Sequence, residues 1–324
     1  MTEKIAIDIG NSAKKYMWRN GAGVVPGYLS KGRIDQITSS VIDGNSMITV
    51  NGEVYIVGEE AIYLGRGFGL QSNEHKGTEK TLIFALYILS KLNVTDAHIM
   101  VGLPVATFAR DREELKDLLS GEKQATINDR LVTFNISANV VMEPIGTYLS
   151  LVSDASGNIN KNSPSFLKNM VVVDVGWTTL DIITLRTGKL GERKNSELLG
   201  VSNIFDQVWR SLEPEHGMLK ANEKVDLYES IIKHPGSGLV AGGQHVKPEI
   251  WKNIGIWKRD LARNIMEAVL NTLGDSRPPL MIVTGGGALF LGDELKNEYP
   301  ALVIHDNPVY ANAIGFYRCL LSMK

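Results

Sequence analysis

Two stretches of the chain, about half a chain length apart, share one pattern of hydrophobic and polar positions. In the second stretch the apolar run 170–173 ends at Asp174, a turn with one glycine and two threonines follows, and another apolar run spans 180–185. The first stretch repeats this order between residues 5 and 18, with Asp8 closing its apolar run. An apolar run, a polar turn containing glycine and a second apolar run predict a β-hairpin. We therefore predict two similar halves that face each other across one ligand.

The rest of the chain alternates short apolar runs with longer amphipathic segments. Strands are predicted between 34 and 57 and at 98–101, 131–136, 139–142, 280–283 and 302–304. Helices are predicted at 78–92, 110–119, 144–152, 202–212, 220–232, 247–273, 288–296 and 311–321. This alternation indicates an α/β chain in which helices cover mixed sheets.

Two polar segments are interpreted as connections. Residues 153–169 are rich in Ser, Asn and Gly, which makes them the best linker candidate. Residues 63–77 are glycine-rich, but they do not follow a strand in a βαβ context. We therefore interpret them as a surface loop rather than a phosphate loop.

Composition narrows the class of protein. A chain of 324 residues that is 44% hydrophobic and 22% charged predicts a globular protein of about two domains. A formal net charge of −2 argues against a broad basic surface for nucleic acid, so any DNA would be held by an adaptor. The single cysteine, Cys319, allows no internal disulfide, and no apolar run is long enough to span a bilayer. We expect a cytoplasmic protein without a membrane anchor.

The residues of the two hairpin turns predict a metal–phosphate site. Asp8 and Asp174 are suited to hold one hydrated Mg²⁺, which keeps several waters and takes few carboxylates. Successive N–H groups of a tight turn form an anion-binding concavity, so the turns are suited to a β/γ-phosphate pair. The candidate phosphate-binding residues are Gly10, Asn11, Ser12, Lys14, Gly176, Thr178 and Thr179.

Two further positions complete the candidate site. Gly285, Gly286 and Gly287 follow an apolar run and predict a strand-to-helix turn where the backbone passes close to a flat or anionic group. Glu143 lies between a strand and a helix that Pro144 begins, a place suited to orienting a nucleophile. Phosphoryl transfer needs positioning, charge neutralisation and an oriented nucleophile, and this set supplies all three.

Other common sites are excluded by the absence of their motifs. The chain has no Gly-x-x-x-x-Gly-Lys-Ser/Thr loop, no His-Glu-x-x-His or Cys-x-x-Cys pair and no Gly-x-Ser-x-Gly elbow. A P-loop nucleotide site, a common zinc site and a hydrolase nucleophile elbow are therefore not expected.

Taken together, these motifs resemble those of the actin-like ATPase superfamily. Five segments occur in the order of that superfamily. Residues 5–14 are similar to its first phosphate motif and residues 171–181 to its second. Residues 142–144 and the helix that follows are similar to its first connecting motif. Residues 282–291 are similar to its adenosine motif and residues 307–320 to its second connecting helix. Within the superfamily the chain looks most like ParM-type plasmid-segregation actins, to judge from its length and from residues 57–61, 101–105 and 199–202. The pattern departs at Trp177, where many relatives have a second glycine.

The resemblance implies a fold and a division of the chain. The implied fold is the actin-like, ribonuclease H-like duplicated α/β fold, with two domains facing each other across a nucleotide cleft. Domain I would comprise 1–152 and 308–324, with a small subdomain at about 33–75. Domain II would comprise 153–307, with a small subdomain at about 213–268.

The resemblance also implies the catalytic roles and the cofactors. Glu143 would orient the attacking water, and Asp174 would act with Mg²⁺ and that water. The nucleotide would be ATP, with GTP as the alternative.

The function that the resemblance favours is a nucleotide-dependent, filament-forming ATPase. Its partners would be other copies of itself and an adaptor protein bound to centromere-like plasmid DNA. The filament would segregate the plasmid through this adaptor. The protein itself would not bind DNA strongly. A small-molecule kinase or phosphatase on the same fold is an alternative, as is another bacterial actin-like cytoskeletal protein or a chaperone-like relative. The phosphate motifs do not separate these functions.

Overall fold

A computed structural model of the chain describes residues 2–32, 46–63, 78–217, 220–233, 240–241, 244–245, 248–274 and 280–323. Of the glycine-rich segment 63–77 that was interpreted above as a loop, residues 64–77 lie outside the described residues, and Tyr63 is the last residue of a helix. Residues 33–45 also lie outside the described residues. Parts of both expected small subdomains therefore lie outside them as well.

The described strands form two main sheets and one short ribbon. The strands are β1 (Glu3–Ile9), β2 (Ala13–Trp18), β3 (Gly21–Pro26), β4 (Leu29–Lys31), β5 (Met47–Val50), β6 (Glu53–Val57), β7 (Asp96–Leu103), β8 (Gly121–Ile127), β9 (Arg130–Met142), β10 (Met170–Val175), β11 (Leu180–Arg186), β12 (Lys189–Glu197), β13 (Val240–Ala241), β14 (Gln244–His245), β15 (Leu280–Thr284) and β16 (Val303–Ile304). The first sheet has the order β3-β2-β1-β7-β9-β8-β5-β6-β4, the second has the order β12-β11-β10-β15-β16, and β13 pairs with β14.

The two main sheets repeat one arrangement around a central strand. In the first sheet, β1 pairs antiparallel with β2 and parallel with β7. In the second, β10 pairs antiparallel with β11 and parallel with β15. Asp8 and Asp174 each stand at the next-to-last position of the central strand. This repetition confirms the α/β fold with two similar halves that the hairpin pattern predicted.

Helices cover both main sheets. The described helices are α1 (Glu59–Tyr63), α2 (Glu79–Lys91), α3 (Val105–Leu119), α4 (Glu143–Val152), α5 (Pro164–Leu167), α6 (Ser202–His216), α7 (Ala221–Lys233), α8 (Glu249–Leu273), α9 (Gly286–Phe290), α10 (Gly292–Glu298) and α11 (Ala311–Ser322). The buried face of α2 joins the core of the first sheet, and α6 and α8 join the core of the second.

Helices α4 and α11 connect the two halves. The buried Tyr148 and Val152 of α4 pack against Val172 of the second sheet, although α4 continues directly from the last strand of the first sheet. The last helix, α11, packs on α4 and on β1. The two helices cross closely because Gly146 and Gly315 have no side chains; a Cβ at Gly315 would overlap the carbonyl of Gly146.

Several predicted element boundaries differ from the structure by a few residues, and three elements differ most clearly. The helix predicted at 110–119 begins at Val105, directly after Pro104, whose extended backbone precedes the first turn. The two strands predicted at 131–136 and 139–142 form one strand, β9, because its hydrogen-bonded ladder continues through Ser137 and Ala138 between them. The helix predicted at 288–296 is two short helices, α9 and α10, that meet at Leu291.

Candidate functional site

A cleft of about 670 Å³ lies between the two halves, where the hairpin turns after β1 and β10 face each other. It is also lined by the start of α4, the turn after β15, and residues of α7, α8 and α10. The structure places nearly all of the predicted site residues in this one lining. Those that line the cleft are Asp8, Gly10, Asn11, Ser12, Glu143, Asp174, Gly176, Thr178, Thr179, Gly285, Gly286 and Gly287.

The predicted site residue that does not line the cleft is Lys14. Its side chain is buried, with Nζ 2.9 Å from the carbonyl oxygen of Gly10 and 4.4 Å from the centre of the Phe84 ring. Lys15 lines the cleft instead, and its Nζ lies 3.4 Å from Oδ2 of Asp8. The exchange follows from strand geometry, because consecutive side chains of β2 point to opposite faces of the sheet. The cation of the first turn is therefore Lys15.

Burial and neighbouring charges shift the pKa values of Asp174 and Lys15 in the cleft. Burial raises the pKa of Asp174 to about 7; the charge of Asp8 adds to this effect, and a hydrogen bond from Asn312 opposes it. Burial lowers the pKa of Lys15, but the charges of Asp8, Asp174 and Glu143 outweigh burial and hold this pKa above its ordinary value. Three carboxyl groups, those of Asp8, Glu143 and Asp174, thus surround a single ammonium group, that of Lys15. This excess of acidic groups favours the binding of a second cation in the cleft.

The chemistry of this set fits a divalent cation that shares its coordination with a phosphate ligand. Among the described residues, no group of three or more His, Cys, Asp or Glu side chains is arranged to hold a metal ion by itself. Mg²⁺ commonly takes one or two carboxylates and completes its octahedron with water and substrate phosphates. Asp8 and Asp174 therefore match the number of carboxylates that such an ion commonly takes.

The second hairpin turn is held from behind by the segment that leads into α6. The amide of Gly200 donates to the carbonyl of Thr178 at 3.1 Å, and the amide of Ser202 donates to that of Trp177 at 2.7 Å. A Cβ at Gly200 would collide with the backbone of the turn. Gly200 therefore permits a backbone-to-backbone contact that fixes the position of Thr178 and Thr179.

Gly27 has the same role at the first turn. Its amide donates to the carbonyl of Ser12 at 2.8 Å, and a Cβ there would collide with Asn11. Sequence reasoning missed both supporting glycines as site residues. Neither glycine lines the cleft, and each contacts a turn that is distant from it in sequence.

Trp177 is part of the second turn, but its side chain packs in the hydrophobic core. Trp177 is 7% exposed, and its ring lies 5.2 Å from that of Phe205 and 5.0 Å from that of Tyr228 between centroids. The departure from a second glycine therefore adds apolar packing behind the turn.

The three glycines after β15 have different roles. Gly285 has a φ of +86°, and a Cβ there would collide with Asp174 and Val175. A Cβ at Gly287 would also collide with Val175. A Cβ at Gly286 would meet no atom within 4 Å, and this residue is exposed at the cleft. Gly285 and Gly287 are thus required by the fold, whereas Gly286 leaves room in the cleft itself.

The far end of the cleft has apolar walls and one ion pair. Trp251 and Ile254 of α8 and Phe290 of α9 supply the walls. Nζ of Lys258 lies 3.0 Å from Oε1 of Glu294, and both residues line the cleft. A pocket of this kind is suited to a flat heterocycle with polar edges. No sequence motif marks these residues, because they come together from separate helices.

Two family profiles match the chain, one for each half. The profile "Actin like proteins N terminal domain" matches residues 6–146. The profile "Archaeal actin homologue MreB-like, C-terminal" matches residues 172–297. Each profile includes one of the two hairpins, and together they span most of the chain. The chain belongs to the actin-like superfamily. The resemblance stated from the sequence motifs is thereby confirmed.

Solved structures show the same fold for this actin-like chain. A 15-stranded ParM filament from Clostridium botulinum matches with a TM-score of 0.81 at 20% identity, covering 99% of both chains. A non-polymerisable quadruple mutant of pCBH ParM matches with a TM-score of 0.78 at 20% identity, covering 98% of both. Ta0583, an archaeal actin homologue in complex with ADP, matches with a TM-score of 0.73 at 19% identity, covering 98% of both. These matches confirm the predicted actin-like fold and the similarity to ParM.

No curated protein matches the chain at a significant level. Among the described residues of this actin-like chain, no helix combines the length and apolar character that a membrane crossing requires.

Proposed function

We propose that this actin-like protein is a filament-forming ATPase whose assembly depends on the bound nucleotide. One observation carries the proposal: the hairpins of two similar halves and the start of α4 bring Asp8, Lys15, Glu143 and Asp174 to one cleft. Among the structural relatives, a ParM forms a filament and an archaeal homologue binds ADP. ATP is the proposed nucleotide, with GTP as the alternative, and Mg²⁺ the proposed metal.

Different residues of the cleft would have different roles in ATP hydrolysis. The backbone amides of the two turns and the Lys15 ammonium would bind the terminal phosphates, while Asp8 and Asp174 would hold Mg²⁺ through water. When bound, Mg²⁺ neutralises charge that develops on the phosphates. Glu143, the first residue of α4, would accept a hydrogen bond from the attacking water and orient it toward the terminal phosphate.

The nucleoside would occupy the far end of the cleft. Gly286 would let the nucleoside approach the backbone, and Phe290 and Trp251 would pack against its apolar faces. The proposed division into domain I (1–152 and 308–324) and domain II (153–307) puts the nucleotide between the domains. This arrangement would couple nucleotide state to the relative position of the domains, and therefore to the filament contacts.

The proposed cellular role is the segregation of plasmids by a filament located in the cytoplasm. The support is the similarity to ParM and a net charge of −2, which does not favour direct DNA binding by a broad basic surface. An adaptor protein bound to centromere-like plasmid DNA would link the filament to its cargo.

Sedimentation with ATP, with GTP and without nucleotide tests the proposed function. We expect the protein to enter the pellet only with a triphosphate and Mg²⁺, and to return to the supernatant as the nucleotide is consumed. Phosphate release without any pellet would instead support an enzyme on the same fold, such as a small-molecule kinase or phosphatase.

A further inference from the structure

A chain of buried hydrogen bonds runs from the crossing of α4 and α11 into the cleft. Its members are Thr147 on α4, Asn312 on α11 and Asp174 on β10, which are 0%, 5% and 7% exposed. The three side chains come from three separate elements, and Asn312 stands in the middle. The cleft chemistry described above assigns no role to Asn312 or Thr147.

The hydrogen bonds determine which way the Asn312 amide faces. The Thr147 backbone amide donates to Oδ1 of Asn312 at 3.0 Å, and the Thr147 hydroxyl donates to the same oxygen at 2.8 Å. A backbone N–H can only donate, so the oxygen of Asn312 must face Thr147. Nδ2 of Asn312 therefore faces Asp174 and donates to Oδ2 at 2.6 Å. This is a charge-assisted hydrogen bond when Asp174 is ionised.

The same bonds cross between the two halves. Asp174 belongs to the second sheet, whereas α11 packs on α4 and on β1 of the first sheet. The orientation of the Asp174 carboxylate is thus tied to the helices that connect the halves, and not only to its own strand. Its other oxygen, Oδ1, lies beside Gly285, at the turn that lines the cleft.

We infer that Asn312 is a positioning residue for Asp174, and that it ties the orientation of this carboxylate to the relative position of the two halves. Asn312 engages Oδ2, so Oδ1 is presented to the cleft in one fixed orientation. A rotation of one half against the other would lengthen the Asn312–Asp174 bond and release the carboxylate. The inference rests on the proposed function only in so far as Asp174 serves nucleotide hydrolysis.

The variant Asn312→Ala tests the inference, with Ser150→Ala as a matched control. Ser150 is on α4, like Thr147, and its hydroxyl lies 2.8 Å from Nε2 of the buried His305 without touching Asp174. Removal of a group that orients a metal-site ligand typically lowers activity by about 10–100-fold. We expect a loss of this size in single-turnover ATP hydrolysis by Asn312→Ala. Its Kd for ADP, measured by calorimetry, should remain within about threefold of that of the wild type. Ser150→Ala should lower the melting temperature and change neither quantity.

A graded variant separates positioning from a general loss of packing. Thr147→Val removes one of the two donors that hold the Asn312 oxygen and keeps the backbone donor, so its hydrolysis rate should fall between wild type and Asn312→Ala. Equal losses in Asn312→Ala and Ser150→Ala, or an unchanged rate in Asn312→Ala, would overturn the inference. If Asn312→Ala does not fold, an unchanged rate in Thr147→Val has the same meaning.

A measurement without hydrolysis keeps the inference distinct from the proposed function. In ¹H–¹⁵N spectra of the nucleotide-free protein, we expect the Asn312 side-chain amide to appear downfield and to move upfield in Asp174→Ala. An amide signal that is indifferent to Asp174→Ala would contradict the inference even if the wild type hydrolyses ATP. A wild type that hydrolyses no triphosphate would contradict the proposed function, while the amide signal would still report whether Asn312 holds Asp174.

Discussion

The buried carboxyl of Asp174 should make the nucleotide-free, metal-free protein less stable as the pH rises from about 4 to about 7. Burial and the charge of Asp8 raise the pKa of Asp174 to about 7 in the folded protein, from an ordinary value of 3.8. In the unfolded chain the same group releases its proton near its ordinary pKa. Folding therefore moves the Asp174 carboxyl group from water into a site that stabilises its neutral, protonated form.

The sign follows from proton binding in the two states. Between the two pKa values the folded protein holds a proton that the unfolded chain has released, so rising pH favours unfolding. The stabilisation from this proton is present in full below the unfolded pKa and is lost as the pH rises through the folded pKa. Each pKa unit corresponds to about 1.4 kcal/mol, so a shift from 3.8 to about 7 gives an upper value of about 4 kcal/mol.

Urea denaturation in the presence of EDTA at several pH values between 4 and 8 measures this effect. Asp174→Asn is the reference, because it removes the titrating group and keeps the size of the side chain. His305 has a lowered pKa through burial and acts in the opposite direction, but its contribution is common to both proteins and cancels in the difference. We expect the free energy of unfolding of the wild type to fall by about 4 kcal/mol relative to the variant between pH 4 and pH 8.

A difference that stays constant within about 1 kcal/mol over this range would refute the reasoning. It would mean that the Asp174 carboxylate is ionised in the folded protein and that Lys15 and the hydrogen bond from Asn312 compensate its burial. The electrostatic case for a cation site beside Asp174 would then lose its main support.

Four further variants test the proposed roles of single residues. Gly286→Val should raise the Kd for ADP by at least about tenfold in calorimetry without lowering the melting temperature, because residue 286 lines the cleft and a Cβ there meets no protein atom within 4 Å; unchanged affinity would contradict the assigned nucleoside position. Lys15→Met should weaken ADP binding by about 10–100-fold, as expected for a lost charge-assisted hydrogen bond, whereas Lys14→Met should leave it within about threefold; equal effects would contradict the exchange of the two lysines. Glu143→Ala should still bind ATP and assemble, but hydrolyse it about 10²–10⁴-fold more slowly, so that filaments persist; phosphate release at the normal rate would leave Glu143 a helix-start carboxylate without a catalytic role.

The sequence predicted the central elements of the fold because their signals are local. Each hairpin carries its apolar runs, its aspartate and its glycine within about 15 consecutive residues, and the strand pairing follows from that order. The turn at Gly285–Gly287 and the start of α4 at Glu143 are local in the same way. For this reason nearly all of the predicted site residues lie in one cleft.

The remaining features depend on contacts between distant segments. Whether Lys14 or Lys15 enters the cleft depends on the register in which Asp8 pairs with Lys15, and the composition of the turn does not determine that register. Gly200 and Asn312 act through residues of other elements; the bond from Asn312 to Asp174 spans 138 positions. No pattern within a window of helix or strand length records such a contact.

The most direct test of a nucleotide-driven filament is a simultaneous record of light scattering and phosphate release after ATP and Mg²⁺ are added to the wild-type protein. We expect scattering to rise first, phosphate release to follow, and scattering to fall back when the ATP is exhausted. Scattering that rises equally without nucleotide, or phosphate release that runs to completion with no scattering at all, would contradict the account.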